Sequence, residues 1–117
     1  AGGHSDCAAG SKLAIIVANL TRKKFCVVRD HVTTITTPGD TIDALVTEYG
    51  IAINPRRTDL LEQLKDSSLP LKTIAELKRI GEELVGPQGH AKVTDHIVGI
   101  VEYRDGSVID LVYQPEA

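Results

Sequence analysis

Methionine and tryptophan are absent from this sequence, and aromatic residues are scarce, one Phe and three Tyr. With so few rings the core must be built from Val, Ile, Leu and Ala, which suits a sheet covered by helices and leaves few platforms for stacking bases. No apolar run approaches the roughly 20 residues that a membrane-spanning helix needs. The glycine-rich start also lacks the basic and apolar regions of a secretion signal. The formal charge of −3 and pI near 5.8 provide no broad attraction to nucleic acid or acidic membranes. These absences argue against nucleic-acid and membrane partners and for a cytoplasmic protein. Cys7 and Cys26 are too few and too isolated for a disulfide framework or a metal site, and both are expected as reduced thiols. His90 and His96 lack Cys or carboxylate neighbours at metal-ligand spacing, so no metal is expected. The lack of Met even at position 1 leads to the expectation that the chain is one part of a longer polypeptide.

What is present bounds the architecture. At 117 residues, with 42% hydrophobic and 25% charged residues, the expectation is one compact domain over residues 1–117. Gly2 and Gly3 can adopt positive φ and let another molecule approach the backbone, and the first turn of a following helix leaves N–H groups without internal partners. Two readings follow: a plain turn, or a cradle for an anion or a developing oxyanion. Ser5 and Asp6 suit a helix start and Gly10 a stop. Leu13 to Leu20 is a continuous apolar run, the candidate for a central strand buried on both faces.

Arg22-Lys23-Lys24 reads as a solvated turn before the strand-like Phe25-Cys26-Val27-Val28. Val32 to Thr37 is strongly β-branched and predicts an exposed strand, ended by Pro38-Gly39; its threonines also resemble a hydroxyl array for phosphate. Ile42 to Val46 and Ile51 to Ile53 predict two more strands around a tight turn near Gly50. Glu48 beside that turn is either a general base or orienting carboxylate, or a partner for nearby backbone. A helix is expected from Thr58 or Asp59 to around Asp66 to Ser68, before Pro70, with Leu60, Leu61 and Leu64 on one face. A second starts at the capping box Thr73-Ile74-Ala75-Glu76, buries Ile74, Leu77, Ile80 and Leu84, and closes at Gly86-Pro87. His96 to Tyr113 predicts a terminal hairpin with a type I′ turn at Asp105-Gly106.

Several blocks in this order resemble the C-terminal part of the citrate lyase alpha subunit family, the citrate CoA-transferase component. They are Gly2-Gly3-His4-Ser5-Asp6 with Ala8-Ala9-Gly10-Ser11-Lys12, Ile15-Ile16-Val17, Val32-Thr33-Thr34 with Thr37-Pro38-Gly39, Leu45-Val46-Thr47-Glu48 with Gly50 to Pro55, and Tyr103 to Asp110. The wider CoA-transferase superfamily has a looser version of the same opening. The resemblance implies the α/β NagB/RpiA/CoA-transferase-like fold, with this chain the C-terminal part of one half: a buried sheet flanked by helices with a terminal β-hairpin. It implies exchange of acetate for citrate on a thioester, either acetyl-CoA or the CoA-like prosthetic group of an acyl carrier protein, without a metal. The implied partners are the acyl carrier protein subunit and the lyase beta subunit, in an oligomer. Gly2 and Gly3 become the candidate catalytic residues; His4, Ser5, Asp6 and Glu48 become candidates for binding citrate. The family's catalytic carboxylate, where one is used, lies upstream of the Gly-Gly stretch, so the chain is expected to be incomplete for catalysis alone. A related 3-oxoacid or acetate CoA-transferase and a non-catalytic α/β interaction domain remain the alternatives.

Overall fold

A computed structural model of the protein describes residues 2–117. The chain forms a mixed α/β unit. Its principal sheet has the order β1 (Ile15–Val17), β4 (Ala44–Thr47), β5 (Gly50–Ile53), β6 (Leu71–Lys72). β1 runs parallel to β4 with Ile16 opposite Leu45, β4 and β5 form a hairpin with Leu45 opposite Ala52, and β5 runs parallel to β6.

The apolar run expected at the sheet centre is therefore an edge. Only three of its residues form a strand, and Val17 is 77% exposed. β4 and β5, flanked on both sides, take the central place instead. The run carries residues of the right type, but burial depends on what the fold lays across it, and periodicity cannot report that.

The core lies where α3 (Ile74–Val85) crosses the sheet and a small hairpin, β2 (Thr21–Arg22) with β3 (Phe25–Cys26). Leu20, Cys26, Val28, Ala52 and Leu77 are buried together, with Leu45, Ile80 and Val85 packed around them. The expected capping box is present: Thr73 accepts from the Glu76 N–H at 3.1 Å, and Glu76 accepts from the Thr73 N–H at 3.2 Å. Gly86, with φ +87, ends the helix. The buried stripe of α3 is narrower than its apolar pattern, since Ile74 and Leu84 are each half-exposed while Leu77 and Gly81 are buried. Helix α2 (Thr58–Leu64) is not capped by Thr58 or Asp59; Arg57 occupies the cap position, and the Asp59 carboxylate is taken by the Arg57 guanidinium.

Two further expectations change. Residues 32–37 form bends rather than a strand; at the middle of this stretch the Ile35 N–H donates to Asp110 Oδ2 at 2.8 Å rather than to a ladder. The terminal hairpin is longer than expected, β7 (Val93–Glu102) with β8 (Val108–Pro115), and its turn is not type I′. Type I′ needs two positive φ values, and among the described residues Lys23 is the one non-glycine with positive φ. Gly106 alone turns left-handed, at φ +85. The Gly106 N–H closes on the Tyr103 carbonyl at 2.9 Å, and Asp105 Oδ1 accepts from the Ser107 N–H at 2.9 Å. Five residues, Tyr103 to Ser107, join the strands; the Tyr103 N–H donates to the Ser107 carbonyl at 2.7 Å, and the aspartate folds back on its own turn.

Candidate functional site

The glycine-rich opening leads into helix α1 (His4–Gly10), with Gly3 at its cap position and no side-chain cap. Ser5 and Asp6 thus fall in the first turn. Gly2 has φ +54, a left-handed backbone that favours glycine; Gly3 has φ −84, open to other residues. A Cβ at Gly3 meets only Cys7 Sγ, at 3.9 Å. Glycine is therefore favoured by backbone geometry at position 2, whereas at position 3 neither φ nor steric room excludes a side chain.

Asp43 fixes where α1 hands over to the sheet. This buried carboxylate accepts from the Ala14 N–H at 2.7 Å and pairs with Arg57 at 2.8 Å, while its backbone N–H donates to the Ala14 carbonyl at 2.9 Å. Arg57 is shared with Asp59, also at 2.8 Å. The Ala14 amide and the Arg57 guanidinium hold the Asp43 carboxyl below its ordinary range; Arg57 lowers Asp59 to about 2. The Arg57 guanidinium is in turn pushed above its usual range by the two carboxylates. Neither Asp43 nor Arg57 stands out in the sequence, and Asp59 does so only as a candidate helix cap. An Asp after Ile42 and an Arg two residues before a helical Asp carry no distinguishing local pattern.

At the other end of β4, Glu48 Oε1 accepts from the Leu20 N–H at 2.8 Å, tying the β4–β5 turn to the buried start of the β2–β3 hairpin. This is the backbone-partner reading of Glu48, and it leaves Oε2 as the oxygen available to a ligand. Glu48→Ala is expected to lower the melting temperature, and Glu48→Gln to preserve it because an amide oxygen still accepts from Leu20. Equal melting temperatures for the two variants would show that the bond does not stabilise the turn.

His4 has a different setting. Its Nδ1 lies 2.8 Å from the Thr37 Oγ1, joining α1 to the loop of residues 29–37. Between them lies an open depression of about 760 Å³, lined by His4, Arg29, His31, Thr34 and Thr37 among others. The loop is held at several points. Arg29 donates to the Gly89 carbonyl, His31 stacks on His90 with ring centroids 4.2 Å apart, and Thr34 reaches the Leu111 carbonyl at 3.4 Å. Asp110 accepts from the Ile35 and Leu111 N–H groups, which keep its carboxyl below the ordinary range. Asp30, the other carboxylate at the rim, pairs with Lys78 at 3.4 Å. The acidic groups of the depression are thus already engaged, while His4, Arg29 and His31 bring cationic or proton-carrying groups to it. Such a surface favours an anion with several oxygens.

Of the residues singled out from sequence, His4 lines this depression; Glu48 lies in the β4–β5 turn, and Ser5 and Asp6 follow His4 along α1. Arg29 and His31 do not stand out as site residues in the sequence, and Thr37 does so only as one of the threonines that resemble a hydroxyl array. Their meeting with His4 spans 25 to 33 positions of chain and has no signature in local spacing. No helix among the described residues is long and apolar enough to cross a membrane.

Comparison with known proteins gives a consistent result. The family model "Citrate lyase, alpha subunit (CitF)" matches residues 1–115. The citrate lyase alpha chain of Klebsiella pneumoniae is 49% identical over 97% of this chain, and that of Haemophilus influenzae 46% identical over the same share. A crystal structure of the alpha subunit of citrate lyase from Streptococcus mutans, in complex with citrate, superimposes with a TM-score of 0.93 at 43% identity over 98% of this chain. The chain spans only 22% to 23% of the length of these curated relatives and 22% of the solved one.

Proposed function

Because the chain belongs to the citrate lyase alpha-subunit family, we propose that it forms the acid-binding wall of a citrate CoA-transferase site with a NagB/RpiA/CoA-transferase-like architecture. The complete subunit exchanges acetate for citrate on a thioester, carried by an acyl carrier protein subunit or by CoA, and a lyase beta subunit cleaves the citryl thioester. One observation carries this reading: the Gly2-Gly3 turn runs directly into His4, which closes a depression that Arg29, His31 and Thr37 also line. The solved Streptococcus relative in complex with citrate supports the choice of acid.

The chemistry follows from charge development. A carboxylate attacking a thioester carbonyl places negative charge on the carbonyl oxygen as the C–S bond weakens. A pre-aimed backbone N–H is worth roughly 3 to 4 kcal/mol at such a position. Gly2 and Gly3 supply that backbone, and the absence of side chains lets the acyl group approach it. His4 binds a citrate oxygen through Nε2, its ring oriented by Thr37. Ser5 and Asp6 complete the acid-binding turn, and Glu48 contributes Oε2 from the strand end.

Gly3→Val tests the assignment with little risk to the fold, since φ −84 admits a side chain and a Cβ there meets nothing nearer than 3.9 Å. In the full-length subunit, the variant keeps the backbone N–H but sets a branched side chain over it; it is expected to lose acetate–thioester label exchange by about 100-fold, with only a small fall in melting temperature from the poorer helix cap. Full exchange activity in this variant would remove Gly3 from the oxyanion role.

A further inference from the structure

We infer that Arg29 is the specificity-determining residue that separates a polycarboxylate such as citrate from a monocarboxylate such as acetate at this site, an inference that rests on the acid-exchange reading above. Charge pairing sets Arg29 apart from three other arginines. Arg56, Arg57 and Arg79 are each in an ion pair with a carboxylate, at 2.8 to 3.2 Å. Arg29 bonds instead to the Gly89 carbonyl, a neutral acceptor that uses one nitrogen and holds the side chain without cancelling its charge. It is the arginine lining the depression closed by the His4–Thr37 bond.

Of the nearby carboxylates, Asp30 pairs with Lys78, and Asp110 keeps its charge but holds its oxygens against two backbone N–H groups. A guanidinium presents a planar fork of donors matched to a carboxylate, and with one nitrogen committed it retains free N–H groups for a ligand. The reacting carboxylate of any acid must sit by the Gly2-Gly3 backbone. An acid with one carboxylate has nothing left for Arg29, whereas an acid with three places a second across the depression.

The experiment uses the full-length subunit with Arg29→Gln and Arg29→Lys. In label exchange, Arg29→Gln is expected to raise the KM for citrate by roughly tenfold to a hundredfold, the scale of a lost charge-assisted hydrogen bond, and to leave kcat and the KM for acetate unchanged. Arg29→Lys, which keeps the charge but not the fork, should fall between. An unchanged KM for citrate overturns the assignment, as does an equal loss for both acids, which would mark Arg29 as a strut for the loop. If the unmodified subunit exchanges neither acid, the exchange reading fails, and calorimetric titration then decides Arg29 separately. Citrate and tricarballylate, which has three carboxylates and no hydroxyl, should each bind more weakly to Arg29→Gln; identical affinities in both proteins would overturn the inference.

Discussion

Gly81→Ala is expected to destabilise the protein by about 2 kcal/mol, although alanine is the better helix former. In an exposed helix interior the substitution gains about 1 kcal/mol. Here the added Cβ would lie 2.2 Å from Cys26 Sγ, 3.2 Å from Cys26 Cβ and 3.5 Å from Leu20 Cγ. Cys26 and Leu20 are both buried, and Leu20 is fully so, leaving neither room to withdraw. Overpacking of a core typically costs 1 to 3 kcal/mol, and a contact this short belongs at or beyond the upper end, so the clash outweighs the propensity. At about 4 °C per kcal/mol, the melting temperature should fall by roughly 8 °C. Cys26→Ala removes the sulfur but keeps the Cβ. The double variant should therefore recover more than half of the loss, giving a coupling of at least about 1 kcal/mol between the sites. A melting temperature that rises in Gly81→Ala would show that α3 does not press on the β2–β3 hairpin this closely.

Asp43→Ala is expected to cost about 3 kcal/mol, because it removes two partners at once. The Ala14 N–H loses its side-chain acceptor where α1 joins β1, and Arg57 is left with Asp59 alone. Asp43→Asn separates the two contributions, since an amide oxygen can still accept from Ala14 but carries no charge for Arg57. The folded carboxyl titrates below its ordinary value of 3.8. The charged form therefore stabilises the fold fully above the unfolded value, and this contribution is lost as pH falls through the lower folded value. The stability gap between the unmodified protein and Asp43→Asn should be constant near neutral pH and should shrink below pH 3.8. Urea unfolding at a series of pH values reads this directly. A gap that stays the same into strong acid would mean that the Asp43 charge contributes nothing to folding.

Both predictions concern residues that join separate parts of the chain, and this marks the division between what could be read early and what could not. The capping box at Thr73 and Glu76, the stop at Gly86, the β4–β5 hairpin and the terminal hairpin were legible. Each depends on residues within a few positions of one another, where backbone geometry and hydrogen-bonding groups act locally. The opening from Gly2 to Lys12 was legible as well, as a motif carried by a short stretch. By contrast, the Leu13 to Leu20 run resembled a central strand because composition reports only the tendency to be buried. Tertiary structure placed it at an edge.

The candidate site divides in the same way. The sequence by itself determined the local elements, the Gly-Gly turn with His4 beside it, and the family to which these blocks point. Only the tertiary structure decided that His4 meets Thr37, that Arg29 lines the same depression with no carboxylate partner among the described residues, and that Glu48 is tied to Leu20 at the far end of β4. The physical reason is separation along the chain. Local conformational preferences fade within a few residues, whereas these contacts close loops of 28 or 33 positions, and only the packed fold offsets the entropy of closing them.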